Sequence, residues 1–265
     1  MRMPYETPPW TQVIAHRGNS GPIPENTLAA IESAISLGVD MIEIDIRLTK
    51  DGVPILMHND RVDDTTTGAG LVTDLMWDEL KELDAGCWRG PEFADEHVIA
   101  LDAVLGLTHD RVALNLDIKA PEATAPTVAA VIQASASARI VISGCTSNGV
   151  RTVADMNGDI AILFNLDELL AGIDPSTAPA VARRSIDLAL ELGAVGINVP
   201  HPLADADLVE RAQAAGIGVW AFTVDEESRF VDLVDAGVTS LTTNWPERML
   251  PLARGRISQR RLDHS

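Results

Sequence analysis

Short runs of branched aliphatic residues recur along the chain, and between most of them alanine and leucine return at the spacing of an amphipathic helix. The runs predict strands at 12–15, 41–46, 54–57, 112–117, 140–143, 160–164, 194–199, 218–222 and 240–242. The stretches between them predict helices at 27–37, 101–107, 123–135, 147–155, 178–192, 205–215 and 226–236. Four of these helices run into Gly38, Gly193, Gly216 and Gly237, shortly before the next strand. Glycine at that point accepts the left-handed backbone that closes a helix. Strand, helix, glycine, strand is the order of parallel βαβ units, and its repetition predicts an α/β chain folded as a (β/α)8 TIM barrel. The run at 54–57 follows its predecessor too closely for a crossover helix. It is expected either to pair antiparallel with the second barrel strand or to extend it.

The rhythm breaks between 59 and 97. That stretch carries eleven acidic and three basic residues, with Gly68, Gly70, Gly86 and Gly90, and it holds Trp77, Trp88 and Phe93. An inserted excursion is expected here, with a short helix at 77–83 lying over the barrel mouth. Its rings either pack as a structural flap or take part in substrate binding. A single barrel domain is therefore read at 11–250, with 59–97 as a cover segment and 1–10 and 251–265 as terminal extensions. The last of these is basic (Arg254, Arg256, Arg260, Arg261) and is expected to fray at the surface.

Composition narrows the function classes. The 265 residues are 46% hydrophobic but only 4% aromatic, so the core is built from small and branched side chains that suit strands covered by helices. A formal charge of −19 repels nucleic-acid backbone and anionic lipid surfaces. A small anionic substrate remains compatible, because local Arg, Lys and metal charge can invert the potential within a pocket. Cys87 and Cys145 are the only cysteines and form neither a disulfide framework nor a CxxC site. The proline-rich start, MRMPYETPPW, has no apolar region of a secretory signal, and no apolar run approaches the roughly 18–20 residues that span a bilayer. A cytoplasmic protein without stable membrane insertion is expected, although a halotolerant or extracellular setting also fits; the oligomeric state stays open.

The chemistry gathers around one strand. Glu43 and Asp45 sit two residues apart and share a face with Met41, while Ile42, Ile44 and Ile46 take the other. Two like charges on a buried strand need compensation, either from Arg17, Arg47 or Lys119, or from a divalent cation. Oxygen-only ligation favours Mg2+ or Ca2+ over zinc. Asp117 and Lys119 repeat the pattern, and a parallel barrel gathers strand ends at one rim. Asp117 could then complete a three-carboxylate site with Lys119 facing a phosphate, or the two could simply pair with each other. His16 and His58 follow the strands on either side, and imidazoles that titrate near neutrality suit proton transfer in both directions. Arg17 suits bidentate phosphate binding. Asn26 or Thr27 is expected to cap the next helix, whose first amides could add to anion binding. Glu25 is expected to order Arg17 or the metal shell. No nucleotide-binding glycine motif and no GxSxG elbow is present.

The segments HRGNSGPIPENT, EIDIRLTKDGVPILMHND and LNLDIK, in that order, resemble the barrel-type glycerophosphodiester phosphodiesterases. ELDAGCW, FTVDEE and TTNWPE add weaker support, and the resemblance spans 12–250. It implies that Glu43, Asp45 and Asp117 hold one divalent cation, Mg2+ or Ca2+, and that His16 and His58 form the acid–base pair. It places Arg17, Lys119, Trp220 and Phe222 against a small phosphodiester substrate, with Glu25, Asn26 and Asn59 in support. The implied reaction yields glycerol 3-phosphate and an alcohol, through attack of the glycerol 2-hydroxyl and a cyclic phosphate. Four positions depart from the family's habit: Asp117 replaces a Glu, Asn59 and Asn244 stand where Asp is usual, and Phe222 stands for a Trp. Two rival readings remain: phospholipase D-like hydrolysis of lysophospholipids, and a non-catalytic barrel that binds a phosphate ligand.

Overall fold

In the computed structural model, which describes residues 10–263 with side chains as far as Arg256, eight parallel strands close on themselves. The strands are β1 (Gln12–His16), β2 (Met41–Leu48), β3 (Pro54–Leu56), β4 (Ala113–Ile118), β5 (Ile140–Ser143), β6 (Ala161–Asn165), β7 (Gly196–Pro200), β8 (Gly218–Phe222) and β9 (Ser240–Thr243). All but β3 belong to the barrel, and the circle closes where His16 of β1 pairs with Glu43 of β2. β3 runs antiparallel to the end of β2, with Ile46 opposite Leu56, so the first of the two expectations for this run holds.

The helices are α1 (Leu28–Leu37), α2 (Trp77–Leu80), α3 (Leu101–Leu107), α4 (Thr124–Gln133), α5 (Ser147–Met156), α6 (Asp167–Leu170), α7 (Ala178–Glu191), α8 (Ala206–Ala214), α9 (Glu227–Ala236) and α10 (Pro246–Asp263). Each expected element lies within three residues of its predicted bounds. Two helices were not foreseen. α6 is a single turn, and α10 crosses the boundary drawn at 250, so the backbone expected to fray is helical as far as Asp263. Pro251 argued against a helix there. Met249, Leu250 and Ala253 nonetheless bury their side chains in the main core, and that packing outweighs the bond lost at the proline. The expected extension 1–10 lies outside the described residues except for Trp10.

Strand alternation creates two cores. Ile42, Ile44 and Ile46 point outward into the helix layer with Leu114, Leu116 and Ile118. On the inner face, Ile14, Met41, Val141, Ala161, Leu163 and Trp220 fill the barrel floor. Trp220 is thus a correction: it is 2% exposed, packed among floor aliphatics, and does not line the cavity above. Glu43 and Asp45 follow Met41 up the same inner face, so the carboxylates sit one layer above an apolar floor.

The excursion has a core of its own, built from Ile55, Met57, Val62, Val72, Leu80, Ala85 and Val98, with Trp77 packed against it. Trp88 is 41% exposed and donates its Nε1–H to the Ala85 carbonyl at 2.9 Å. None of residues 59–97 lines the main cavity, so this is a structural flap.

Gly38, Gly193, Gly216 and Gly237 all take the left-handed conformation, with φ of 72°, 72°, 80° and 84°. At Gly38 the amide closes α1 onto the Ala34 and Ile35 carbonyls. An alanine there must adopt a backbone that costs an L-residue about 1–2 kcal/mol. Gly38→Ala is expected to lower the unfolding free energy by that amount, read as a lower urea midpoint with the denaturant slope unchanged.

Candidate active site

Register brings the acids together. β2 and β4 run in step, so Glu43 lies opposite Asn115 and Asp45 opposite Asp117. Oxygens of Glu43, Asp45 and Asp117 fall within 4.8 Å of one another. Asp45 is fully buried and accepts Asn26 Nδ2–H at 2.8 Å, and it forms ion pairs with Arg17 Nε at 3.0 Å and Lys119 Nζ at 2.9 Å. Lys119 also pairs with Asp117, which accepts the Ser143 hydroxyl at 2.8 Å. Arg17 reaches Glu25 at 2.8 Å. Arg47 does not join in; its Nε–H holds the His58 carbonyl at 2.8 Å.

The ion pairs do not balance the cluster. Among the described residues, the lysine and arginine side chains paired with Glu25, Asp45 and Asp117 are Arg17 and Lys119. Burial works to raise the Asp45 carboxyl, but Lys119 and Arg17 prevail and hold it down at about 2. Glu43 is the group left over. It accepts the Arg17 backbone N–H at 3.0 Å and stands 3.8 Å from His16 Nε2. Burial, then Asp45 and Asp117, push its carboxyl well above the usual range. Carboxyl groups in excess of their cationic partners, with three converging oxygens, fit a divalent cation, and Glu43, Asp45 and Asp117 could coordinate one.

Both imidazoles are held by an asparagine. His16 donates Nδ1–H to Asn244 Oδ1 at 2.6 Å, and Asn244 Nδ2–H donates to Asp225 at 2.6 Å. His58 donates Nδ1–H to Asn59 Oδ1 at 2.7 Å, and Asn59 Nδ2–H donates to Asp64 at 2.6 Å. Burial, then the Arg17 charge, lower the His16 pKa, so this ring is neutral near pH 7. These two asparagines stand where the resemblance led one to expect carboxylates, and Asp64 supplies the acid behind His58.

His16, Arg17, Glu43, His58, Asp117, Lys119 and Phe222 line one cavity of about 370 Å³. Asp45 lies just beneath, and Glu25, Asn26 and Asn59 do not line the cavity but hold Arg17, Asp45 and His58, whereas Trp220 stands apart. Thr27 caps α1 and Asn26 braces Asp45, which settles their alternative roles. Two of the first α1 amides are already taken: Ala29 N–H donates to Glu96 at 3.2 Å and Ala30 N–H to the Thr27 hydroxyl at 3.3 Å. Asn115, Ser143, Asn165, Asp167, Asn198, Thr223 and Thr242 complete the wall and were not foreseen. The signal for five of them was available: a polar residue on the inward face in the upper part of a barrel strand.

The model of the glycerophosphoryl diester phosphodiesterase family matches residues 16–248. The chain belongs to that family. It is 33% identical over 250 residues to a glycerophosphodiester phosphodiesterase of Caldanaerobacter subterraneus, covering 92% of this chain and 98% of the relative. A glycerophosphodiester phosphodiesterase of Bacillus subtilis is 28% identical over 254 residues, covering 91% and 86%. Among solved structures, an Oleispira antarctica phosphodiesterase in complex with the product sn-glycerol-3-phosphate superposes with a TM-score of 0.79 at 28% identity, covering 92% of this chain and 96% of that one. A glycerophosphodiester phosphodiesterase from Agrobacterium tumefaciens, 23% identical, shares the fold with a TM-score of 0.76 over 90% of this chain and 98% of that one. Family membership makes this chain an enzyme of the barrel type.

Because the folded-state pKa of Glu43 is raised, its ionisation opposes folding increasingly as pH climbs from the ordinary carboxylate value to the raised one. Glu43→Gln is expected to raise the unfolding temperature in chelator at pH 7.5 by roughly 2–4 °C for each kcal/mol recovered. Added Mg2+ or Ca2+ is expected to raise the unfolding temperature of the parent protein and not that of the variant. Thermal unfolding with and without added cation checks both.

Proposed function

We propose that this chain hydrolyses a glycerophosphodiester to glycerol 3-phosphate and an alcohol. The observation that carries the reading is that one cavity holds two tethered imidazoles, two fixed cationic side chains and a three-carboxylate cluster with unbalanced charge. A divalent cation held by Glu43, Asp45 and Asp117 would act as a Lewis acid toward a phosphoryl oxygen. Arg17 and Lys119 bind the remaining phosphate charge, and their pairing with Asp45 keeps both heads aimed at the cavity.

Proton transfer falls to the histidines. His16, neutral and bonded through Nδ1, has Nε2 free to take the proton of the glycerol 2-hydroxyl as its oxygen bonds to phosphorus. His58, carrying a proton on both ring nitrogens, gives the one on Nε2 to the departing alkoxide as the exocyclic P–O bond breaks and is left in its neutral Nδ1–H form. In the second step the roles reverse: His58 takes a proton from water as it attacks phosphorus, and His16 returns one to the 2-oxygen as the ring P–O bond breaks. Phe222 lines the same cavity and offers an apolar face to the glycerol carbons. Among the described residues, no helix is long and apolar enough to cross a membrane, which accords with a small diester reached from water.

A panel of headgroup glycerophosphodiesters, with release of glycerol 3-phosphate followed enzymatically, tests the reading. Turnover is expected with Mg2+ or Ca2+ and is expected to vanish with chelator. His16→Ala and His58→Ala should each lower kcat by about 10²- to 10⁴-fold. Turnover confined to lysolipids would replace the substrate, and no turnover with any cation would leave a binding protein.

A further inference from the structure

The two histidines share a support that neither the motif nor the metal cluster requires. Each gives its Nδ1–H to an asparagine oxygen, and each asparagine gives its Nδ2–H to an aspartate: His16–Asn244–Asp225 and His58–Asn59–Asp64. The residues come from four separate places along the chain. An amide is ambiguous as a partner, since its oxygen accepts and its nitrogen donates. Only the group behind it decides which end meets the imidazole.

At His16 that decision is forced. Asp225 Oδ1 is taken by the backbone N–H of Asn244 at 2.8 Å and the Thr243 hydroxyl at 3.1 Å. Its Oδ2 is an acceptor without a proton, so it can face only the Asn244 amide nitrogen, at 2.6 Å. Asn244 Oδ1 must then point to His16, where it also accepts the Ser20 hydroxyl at 2.8 Å. The Asn244 carbonyl is pinned in turn by Gly21 N–H at 2.8 Å.

We infer that Asp225 and Asp64 are positioning residues that act through Asn244 and Asn59 to lock both imidazoles in the Nδ1–H tautomer, with Nε2 turned to the cavity. Free histidine prefers the opposite tautomer, so the lock has something to oppose. In the reverse orientation the amide nitrogen would meet Nδ1, the ring proton would move to Nε2, and His16 could no longer take a proton from the substrate. The catalytic consequence rests on the proposed function; the tautomer does not.

Asp225→Asn provides the discriminating change. The backbone N–H of Asn244 still needs an acceptor, so the new amide must keep its oxygen there and turn its nitrogen toward the Asn244 side chain. Asn244 is then flipped and the relay inverted, with little change in volume. Exchanging both residues (Asn244→Asp with Asp225→Asn) restores it: the nitrogen at 225 donates to the carboxylate at 244, which accepts His16 Nδ1–H without ambiguity. At His58 the corresponding pair is Asp64→Ala and Asn59→Asp with Asp64→Ala.

Nitrogen-15 spectra of histidine-labelled protein at pH 8, assigned with His16→Ala and His58→Ala, report the tautomers without any substrate. Both rings are expected as Nδ1–H in the parent protein and in the exchanged variant, with His16 as Nε2–H in Asp225→Asn. With glycerophosphocholine, Asp225→Asn should lower kcat by roughly 10²-fold or more with KM within about twofold, and the exchange should recover most of it. An Nε2–H signal for either ring in the parent, or an unchanged His16 signal in Asp225→Asn, overturns the proposal. So does an exchanged variant that folds, judged by its unfolding temperature, but recovers neither the signal nor kcat. Absence of turnover in the parent with the tautomers as expected would overturn the proposed function and leave the relay standing.

Discussion

Unbalanced negative charge inside a closed barrel is the constraint to which the rest of the molecule answers. Glu43, Asp45 and Asp117 share one layer of the interior, above an apolar floor that offers them no partner. Two cations reach them, and Glu43 is left with a backbone amide and a neutral imidazole. Carboxylates so placed cost stability unless another positive charge joins them. The expense is local and concentrated at the point where a cation and a phosphate would meet.

Much of the surrounding structure keeps that layer from relaxing. Arg17 and Asn26 both hold positive φ, at 54° and 57°, and the Asn26 amide donates to the Arg17 carbonyl at 3.0 Å. That turn lets Arg17 serve Glu43 with its backbone and Asp45 with its guanidinium at once. Gly144 packs so tightly under Asp117 that a Cβ there would lie 2.6 Å from its carboxylate oxygen. The excursion after β3 adds braces rather than cavity wall. Arg89 donates to the Gly21 carbonyl beside Asn244, Glu96 receives an α1 amide, and Asp64 holds Asn59. An insertion with its own small core can carry such contacts because its shape does not depend on the substrate.

Legibility varied with the range of the interaction. The βαβ order and the four glycine caps were visible because helix closure and strand burial are local events with local residue preferences. The inward face of β2 was visible because alternation is a geometric property of any strand. α10 was hidden by Pro251, whose local penalty is overcome by packing against β1 and its neighbours. Trp220 was placed against the substrate by the resemblance alone. Its position on the strand, level with the floor aliphatics, carries it below the cavity. Asn115, Asn165 and Asn198 were overlooked because an isolated asparagine in a strand carries no motif, although each sits on an inward face.

The amino-acid order alone determined the barrel, the acidic strand and its flanking histidines, since these follow from periodicity and from residues close together in the chain. Only the closed tertiary structure decided which groups compensate which. His16 meets an asparagine 228 positions away, and Asp45 meets Arg17 and Asn26 from one connecting segment and Lys119 from another. Hydrogen-bond direction and charge balance are properties of neighbours in space, and in this molecule barrel closure supplies those neighbours.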